Sequence, residues 1–423
     1  MTASPHIAAS RRRRSGPRIL AVGIALALAL GLALAPLAGP APAAGAGGWS
    51  RLSATGGGYP RISNIDEPTL GRLGAGLQVV WPVQTSPSTT EYQTAIVSAA
   101  GQTTLGATAI LSGWADLIAD PRLITVGGVQ LLAFSGLRST DSTDPYSTGA
   151  EYFATSADGR AWELGVGSLS ESTSAYADYG NDAVDNAGNP VWVGNPGTVT
   201  GIRWQSGTTP AIPSPAGAGG SISLAGCCGY NAAAARDNAT GAVFAAFYSN
   251  SSDPAEQGIQ AGQILPSPAA LTQAPGSVTN TGTAADSLSP DQRIAMVSRP
   301  GGGVLVAYKV GYPTTSRIRV WQVGTSRQFD LPGSSGAGRI AMAAEPGGQV
   351  WVAWIAGSRL KAARINASGV VPRSTITWTG PPGASTLWKL GASSGALKRL
   401  DVVVTASGAG GGINVWHRQA TRR

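Results

Sequence analysis

The chain has 423 residues, of which 12% are charged, with 59 glycines, 28 prolines and two cysteines. Thirty Lys and Arg against 22 Asp and Glu give a formal net charge of +8, but residues 1–46 hold five arginines and no acid, leaving 25 basic against 22 acidic side chains, a net +3, in the remainder. That excludes the dense basic stripe a nucleic-acid partner needs, and the two histidines exclude a multi-histidine metal centre.

The N-terminus has the order of an export signal. Arg11 to Arg14 and Arg18 form a basic region, Ile19 to Ala35 is apolar, and Pro36 breaks the run. Small-residue sites follow at Ala41-Pro42-Ala43 and Ala44-Gly45-Ala46, as cleavage requires. Residues 1–46 are therefore expected to be a secretory signal peptide and residues 47–423 the mature domain, secreted, extracellular and free of the membrane. A retained anchor is the alternative, since the apolar run is long for a leader. No later segment reaches the ~18 uninterrupted apolar residues of a membrane span.

The mature chain repeats. "RIAMVSRPGGGVLVAY" (293–308) and "RIAMAAEPGGQVWVAW" (339–354) share Arg, Ile, Ala, Met, Pro and paired Gly at a period of 46 residues, the length of a four-stranded propeller blade. Weaker copies begin at Pro60 ("PRISNIDEPTLGRLGAGLQVVW"), Pro121, Asn181, Tyr230 and Leu387. Each reads as a strand, a Gly/Asn turn and a second strand rich in Val, Trp and Phe, and a third strand follows in every copy. Six copies continue into a fourth strand, whereas the seventh meets the end of the chain. The pattern predicts an all-β fold, a β-propeller of seven four-stranded blades, with "WSRLSAT" (Trp49 to Thr55) as the missing outer strand of the last blade. Six blades with one pseudo-repeat is the alternative.

"SADGRAW", Ser156 to Trp162, falls between the third and fourth strands of the second blade. Its Ser156, Asp158, Gly159 and Trp162 resemble the Asp-box, Ser-x-Asp-(x)-Gly-x-x-Trp, of the secreted sialidase-like (BNR-repeat) β-propellers. In that family the box is structural and lies opposite the ligand face. The resemblance also implies an arginine triad on inner strands, a Tyr–Glu nucleophile pair and an Asp acid. "YPRI", Tyr59 to Ile62, looks like a degenerate first arginine motif without the proline after Arg-Ile. The last blade has Trp388 and Lys389 where the nucleophilic tyrosine belongs, and no glutamate is placed to activate one. The resemblance is to the architecture.

One residue per repeat marks the head of each inner strand: Arg61, Arg122, the stretch Asp178 to Asn181, Tyr230, Arg293, Arg339 and Lys389. Five of these seven positions are basic in a mature chain of net charge +3. Convergent guanidinium groups around a funnel suit an anion or carboxylate, so Arg61, Arg122, Tyr230, Arg293, Arg339 and Lys389 are the expected ligand-binding residues. The alternative is structural pairing with acids such as Asp116, Asp120 and Asp291. Both cysteines, Cys227 and Cys228, lie in "AGCCGYN" just ahead of Tyr230. Each has only the other as a partner, and export favours a vicinal disulfide at the same rim; an unbridged, buried pair is the alternative. Asp141 and Asp144 lack a full calcium ligand comb, and no metal or other cofactor is expected. A Ser-His-Asp triad could use only His417, which reads as a terminal-strand residue. The functional expectation is a monomeric, non-catalytic propeller binding a glycan or other anionic ligand. A divergent glycoside hydrolase or lyase and a protein-interaction scaffold are the alternatives.

Overall fold

The computed structural model of the protein describes residues 48–421, except 54, 64–66, 116–120, 127, 138–149, 165–180, 185–189, 195–199, 207–218, 227–228, 278–287, 289–293 and 409. These residues form seven antiparallel sheets with one short 3₁₀ turn, Pro254–Glu256. Six sheets are continuous in sequence. The first holds Thr69–Leu73, Gly76–Ser86, Thr89–Val97 and Thr103–Trp114. The inner strands of the next five blades are Arg122–Val126, Asn181–Val184, Gly229–Arg236, Ala295–Ser298 and Ala337–Ala344. In the sixth blade both Gly369–Val370 and Ile376–Thr379 pair with the third strand, Arg359–Asn366. The seventh blade combines Ala384–Ser393, Arg399–Gly408 and Ile413–Thr421 with Trp49–Arg51 as its fourth strand, Trp49 facing Arg418 and Arg51 facing Trp416. The first strand of every blade touches the first strand of the next, and that of the seventh touches that of the first. The protein is a closed, seven-bladed β-propeller.

Sequence dictates which strand lies where. Second strands such as Val304–Val310 are buried at every position. Their neighbouring blades cover both faces, which is why they read as continuous apolar runs rather than alternating ones. Aromatic residues fill the widening gaps between blades. Trp114 and Phe134 meet edge to face at 5.1 Å, and Tyr92 meets Phe134 at 5.0 Å, the geometry ring quadrupoles favour. Inner strands carry small residues because they converge. A Cβ at Gly391 would stand 2.1 Å from Leu70 Cδ1, and one at Gly71 would stand 2.7 Å from Leu123 Cγ.

Polar groups at the hairpins between first and second strands tie successive blades. Asp237 Oδ1 accepts from the Gly303 amide at 2.9 Å, Gln130 Nε2 donates to the Arg72 carbonyl at 2.7 Å, and buried Glu345 accepts from the Lys398 amide. The densest such cluster joins the seventh blade to the first. The Asp401 carboxylate, fully buried, receives Arg72 Nη2 at 2.7 Å, Arg399 Nε at 2.9 Å, Gln419 Nε2 at 2.9 Å and His417 Nε2 at 3.1 Å. Arg72 comes from the first blade and the other three from the seventh. Burial by itself would raise the Asp401 pKa. Hydrogen bonds from His417 and Gln419, with the charge of Arg72, outweigh it and hold the carboxyl well below the usual carboxylate range.

Two outcomes follow from the seam. Trp49 is fully buried, its indole donates to the Thr379 carbonyl of the sixth blade at 3.0 Å, and Arg418 lies 5.7 Å from its ring. Trp49→Ala should therefore cost about 3–5 kcal/mol of stability; a melting temperature within a degree or two of the parent would show that the strand secures nothing. Because the folded-state pKa of Asp401 is depressed, its contribution is complete above the unfolded-state pKa of about 3.9 and is lost as pH falls below it. The stability gap between the parent and Asp401→Asn should thus be widest above about pH 5 and narrow in acid. Chemical denaturation across pH measures it, and a gap that does not change with pH contradicts the assignment.

Candidate functional site

The channel enclosed by the inner strands opens, at the end where those strands begin, into a cavity of about 430 Å³. Its lining comes from six blades: Glu67 to Leu70, Arg122 to Ile124, Ala234, Ile294 to Val297, Arg339 to Met342 and Leu390 to Ala392. The described turns joining second to third strands, such as Pro87–Ser88 and Gly357–Ser358, lie on this face.

Three inner strands are irregular at this mouth. Pairing with the second strand slips between Tyr230 and Ala233 in the fourth blade, between Ala337 and Ile340 in the sixth, and between Leu387 and Lys389 in the seventh. Each slip is a β-bulge, which re-aims a side chain out of the ladder. In the sixth blade Gly338 and Arg339 together fall opposite one residue of the second strand, Ile355. Arg339 is half-buried and makes no hydrogen bond or ion pair among the described residues. Asn231, in the bulge of the fourth blade, sits in the left-handed region at φ 55°, which asparagine tolerates better than most residues.

The expected rim residues meet different fates. Arg122 and Arg339 line the cavity. Lys389 also stands at the mouth, but it is buried, and its Nζ is 3.1 Å from Glu67 Oε1 across the boundary between the seventh and first blades. Its charge serves a structural pair. Arg61 is a correction: the inner strand of the first blade begins at Thr69, and Arg61 instead forms an isolated bridge with Gln84. Its Nε bonds Gln84 Oε1 at 2.8 Å and its guanidinium lies 4.8 Å from the exposed Tyr59 ring. Tyr230 heads the fourth blade's inner strand, but its ring lies on Tyr248, centroids 6.3 Å apart, and Ala234 represents that blade in the cavity. Burial, then proximity to Tyr230, pushes the Tyr248 hydroxyl pKa up. Arg293, Cys227 and Cys228 lie outside the described residues, as do Asp116, Asp120, Asp141, Asp144 and Asp291.

Sequence reading missed Glu67 and Thr69. Glu67 is the only acid among the described lining residues. Thr69 Oγ1 accepts from the Leu123 amide at 2.8 Å and so fixes the first two inner strands together. No three His, Cys, Asp or Glu side chains gather as metal ligands would among the described residues. His417 is buried with Asp401 at the opposite end of the strands.

The "SADGRAW" turn is also on that opposite face. Asp158 Oδ1 accepts from the Arg160 and Ala161 amides at 2.8 and 3.0 Å, Ser156 Oγ accepts from the Gly159 amide at 2.9 Å, and Trp162 Nε1 donates to the Gly159 carbonyl at 3.3 Å. The amides of Arg160 and Ala161 hold the Asp158 pKa below its ordinary value. Gly159, at φ 74°, receives Gln78 Nε2 of the first blade at its carbonyl, 2.6 Å away.

No family model and no curated protein matches the chain. Among solved structures it is similar to a protein of unknown function from Dyadobacter fermentans (10% identity, 89% of this chain and 100% of that one, TM-score 0.46). It is also similar to the fungal lectin of Aleuria aurantia, described as a six-bladed β-propeller that recognises fucose (10% identity, 85% and 93% covered, TM-score 0.41), and to a glucose dehydrogenase (14%, 88% and 99%, TM-score 0.39). Likeness at this level carries no inference about ligand or activity.

Proposed function

We propose that the chain is an exported propeller that binds a carboxylate-bearing ligand, a glycan or another organic anion, at the mouth of its central channel without transforming it. One observation carries the reading. Arg339 is displaced from its ladder by a bulge, lines the channel cavity and has no partner among the described residues. A half-buried guanidinium with no counter-ion among the described residues suits a bidentate anion. The contrast with Lys389, which is neutralised by Glu67, singles Arg339 out.

Binding is favoured over hydrolysis because a glycosidase brings two carboxylic acids to the scissile bond. Among the described lining residues there is one, Glu67, and it is bonded to Lys389. The order of residues 1–46 supports export, and the hydrogen bonding of Ser156 to Trp162 supports reading that turn as an Asp-box of structural use.

The test uses protein expressed with its own leader and recovered from the culture medium. An array of neutral and acidic saccharides should yield acidic hits, and Arg339→Ala should weaken them by about tenfold to a hundredfold, or about 1.4–2.8 kcal/mol, at an unchanged melting temperature. Retained affinity in that variant, or hits confined to neutral sugars, would overturn the reading. Release of cleaved product from any hit would establish the hydrolase alternative.

A further inference from the structure

Two features of the channel narrow the ligand further. The first is its walls. Inner strands touch all the way round the ring, so nothing enters the cavity from the side. The lining runs no deeper than Leu70, Ile124, Val297, Met342 and Ala392. Five blades contribute three or four consecutive residues each and the fourth blade contributes Ala234 alone, a depth of roughly 10 Å at ~3.3 Å per residue. An internal segment of a polymer would have to thread the ring, whereas a chain end only has to insert.

The second feature is the chemistry of the wall. Each inner strand pairs on one edge only, with the second strand of its own blade. Its other edge turns toward the channel, so the wall presents main-chain N–H and C=O groups in alternation, with the half-buried side chains of Met296 and Met342 between them. A hydrocarbon tail would strip water from these groups and replace none of its hydrogen bonds. Sugar hydroxyls both donate and accept, which suits a wall of alternating donors and acceptors, and the ring's C–H faces suit the methionines.

We infer that the cavity takes the terminal residue of an acidic saccharide, a uronate-type sugar inserted end-on with its carboxylate on Arg339. The inference rests on the anion-binding reading above and goes beyond it in naming a saccharide, and its terminus.

Calorimetry on the secreted protein tests it with glucuronate, glucose, hexanoate and β-linked glucuronate oligomers from dimer to hexamer. Glucuronate should bind at least about tenfold more tightly than glucose or hexanoate. The oligomers should bind one protein per chain, with Kd varying by less than about threefold across the lengths. Arg339→Ala should erase the preference of glucuronate over glucose. Arg327→Ala, an exposed arginine on the opposite face, should leave it intact. Hexanoate binding as tightly as glucuronate would overturn the saccharide class and leave an anion site. Several proteins on one hexamer, a Kd falling steadily with length, or oligomers that fail to bind while the monomer does would each overturn chain-end recognition. If neither acid binds, the anion reading itself fails and the inference with it.

Discussion

The covalent ring of this propeller is broken at one place, inside the seventh blade. Three of its strands are the last of the chain, and the fourth, Trp49–Arg51, precedes the first blade. The last three strands are therefore held to the first blade by non-covalent contacts alone. Asp401 is the centre of them. It binds Arg399, His417 and Gln419 of its own blade and Arg72 of the first. A buried carboxylate is costly unless every lone pair is occupied, and here four donors occupy them. Breaking one side of such a cluster costs about 3–5 kcal/mol, a large share of the 5–15 kcal/mol by which most domains are stable. At the level of the inner strands, the same seam depends on Gly391 admitting Leu70.

The site inherits its properties from that closure. With the ring shut, the inner strands present one unpaired edge each to a common channel, and the heads of those strands converge at its mouth. Charges there are differently placed: Lys389 is buried and Arg339 half-buried. Lys389 is neutralised by Glu67, whereas Arg339 has no partner among the described residues and is the residue we propose to meet a ligand. The buried ionic cluster and the candidate site are also separated in space. The ionic cluster of Asp401 and the hydrogen-bonded turn at Asp158 lie at the far end of the blades, and the cavity lies at the near end.

Much of the fold was legible because propeller blades repeat. The paired "RIAM" segments give the period, and the continuous apolar runs mark second strands that are buried on both faces. The first blade was misread at its start. "YPRI" imitates the other strand heads, while the true inner strand, Thr69–Leu73, lacks their opening arginine. The site was legible only in part. Lys389 is visible in the repeat as a basic residue, but its partner Glu67 is 322 residues away, and no local pattern reports such a pair. The bulge that releases Arg339 was invisible for a different reason: register belongs to two strands together and is written in neither alone.

The central claim is that the ligand sits inside the ring, on Arg339, rather than between blades or on the far face. A crystal structure of the secreted protein with glucuronate bound tests it most directly. The account predicts the carboxylate about 2.7–2.9 Å from the Arg339 guanidinium, with the sugar ring below the mouth of the channel. A sugar found in a cleft between blades, with Arg339 untouched, would contradict it.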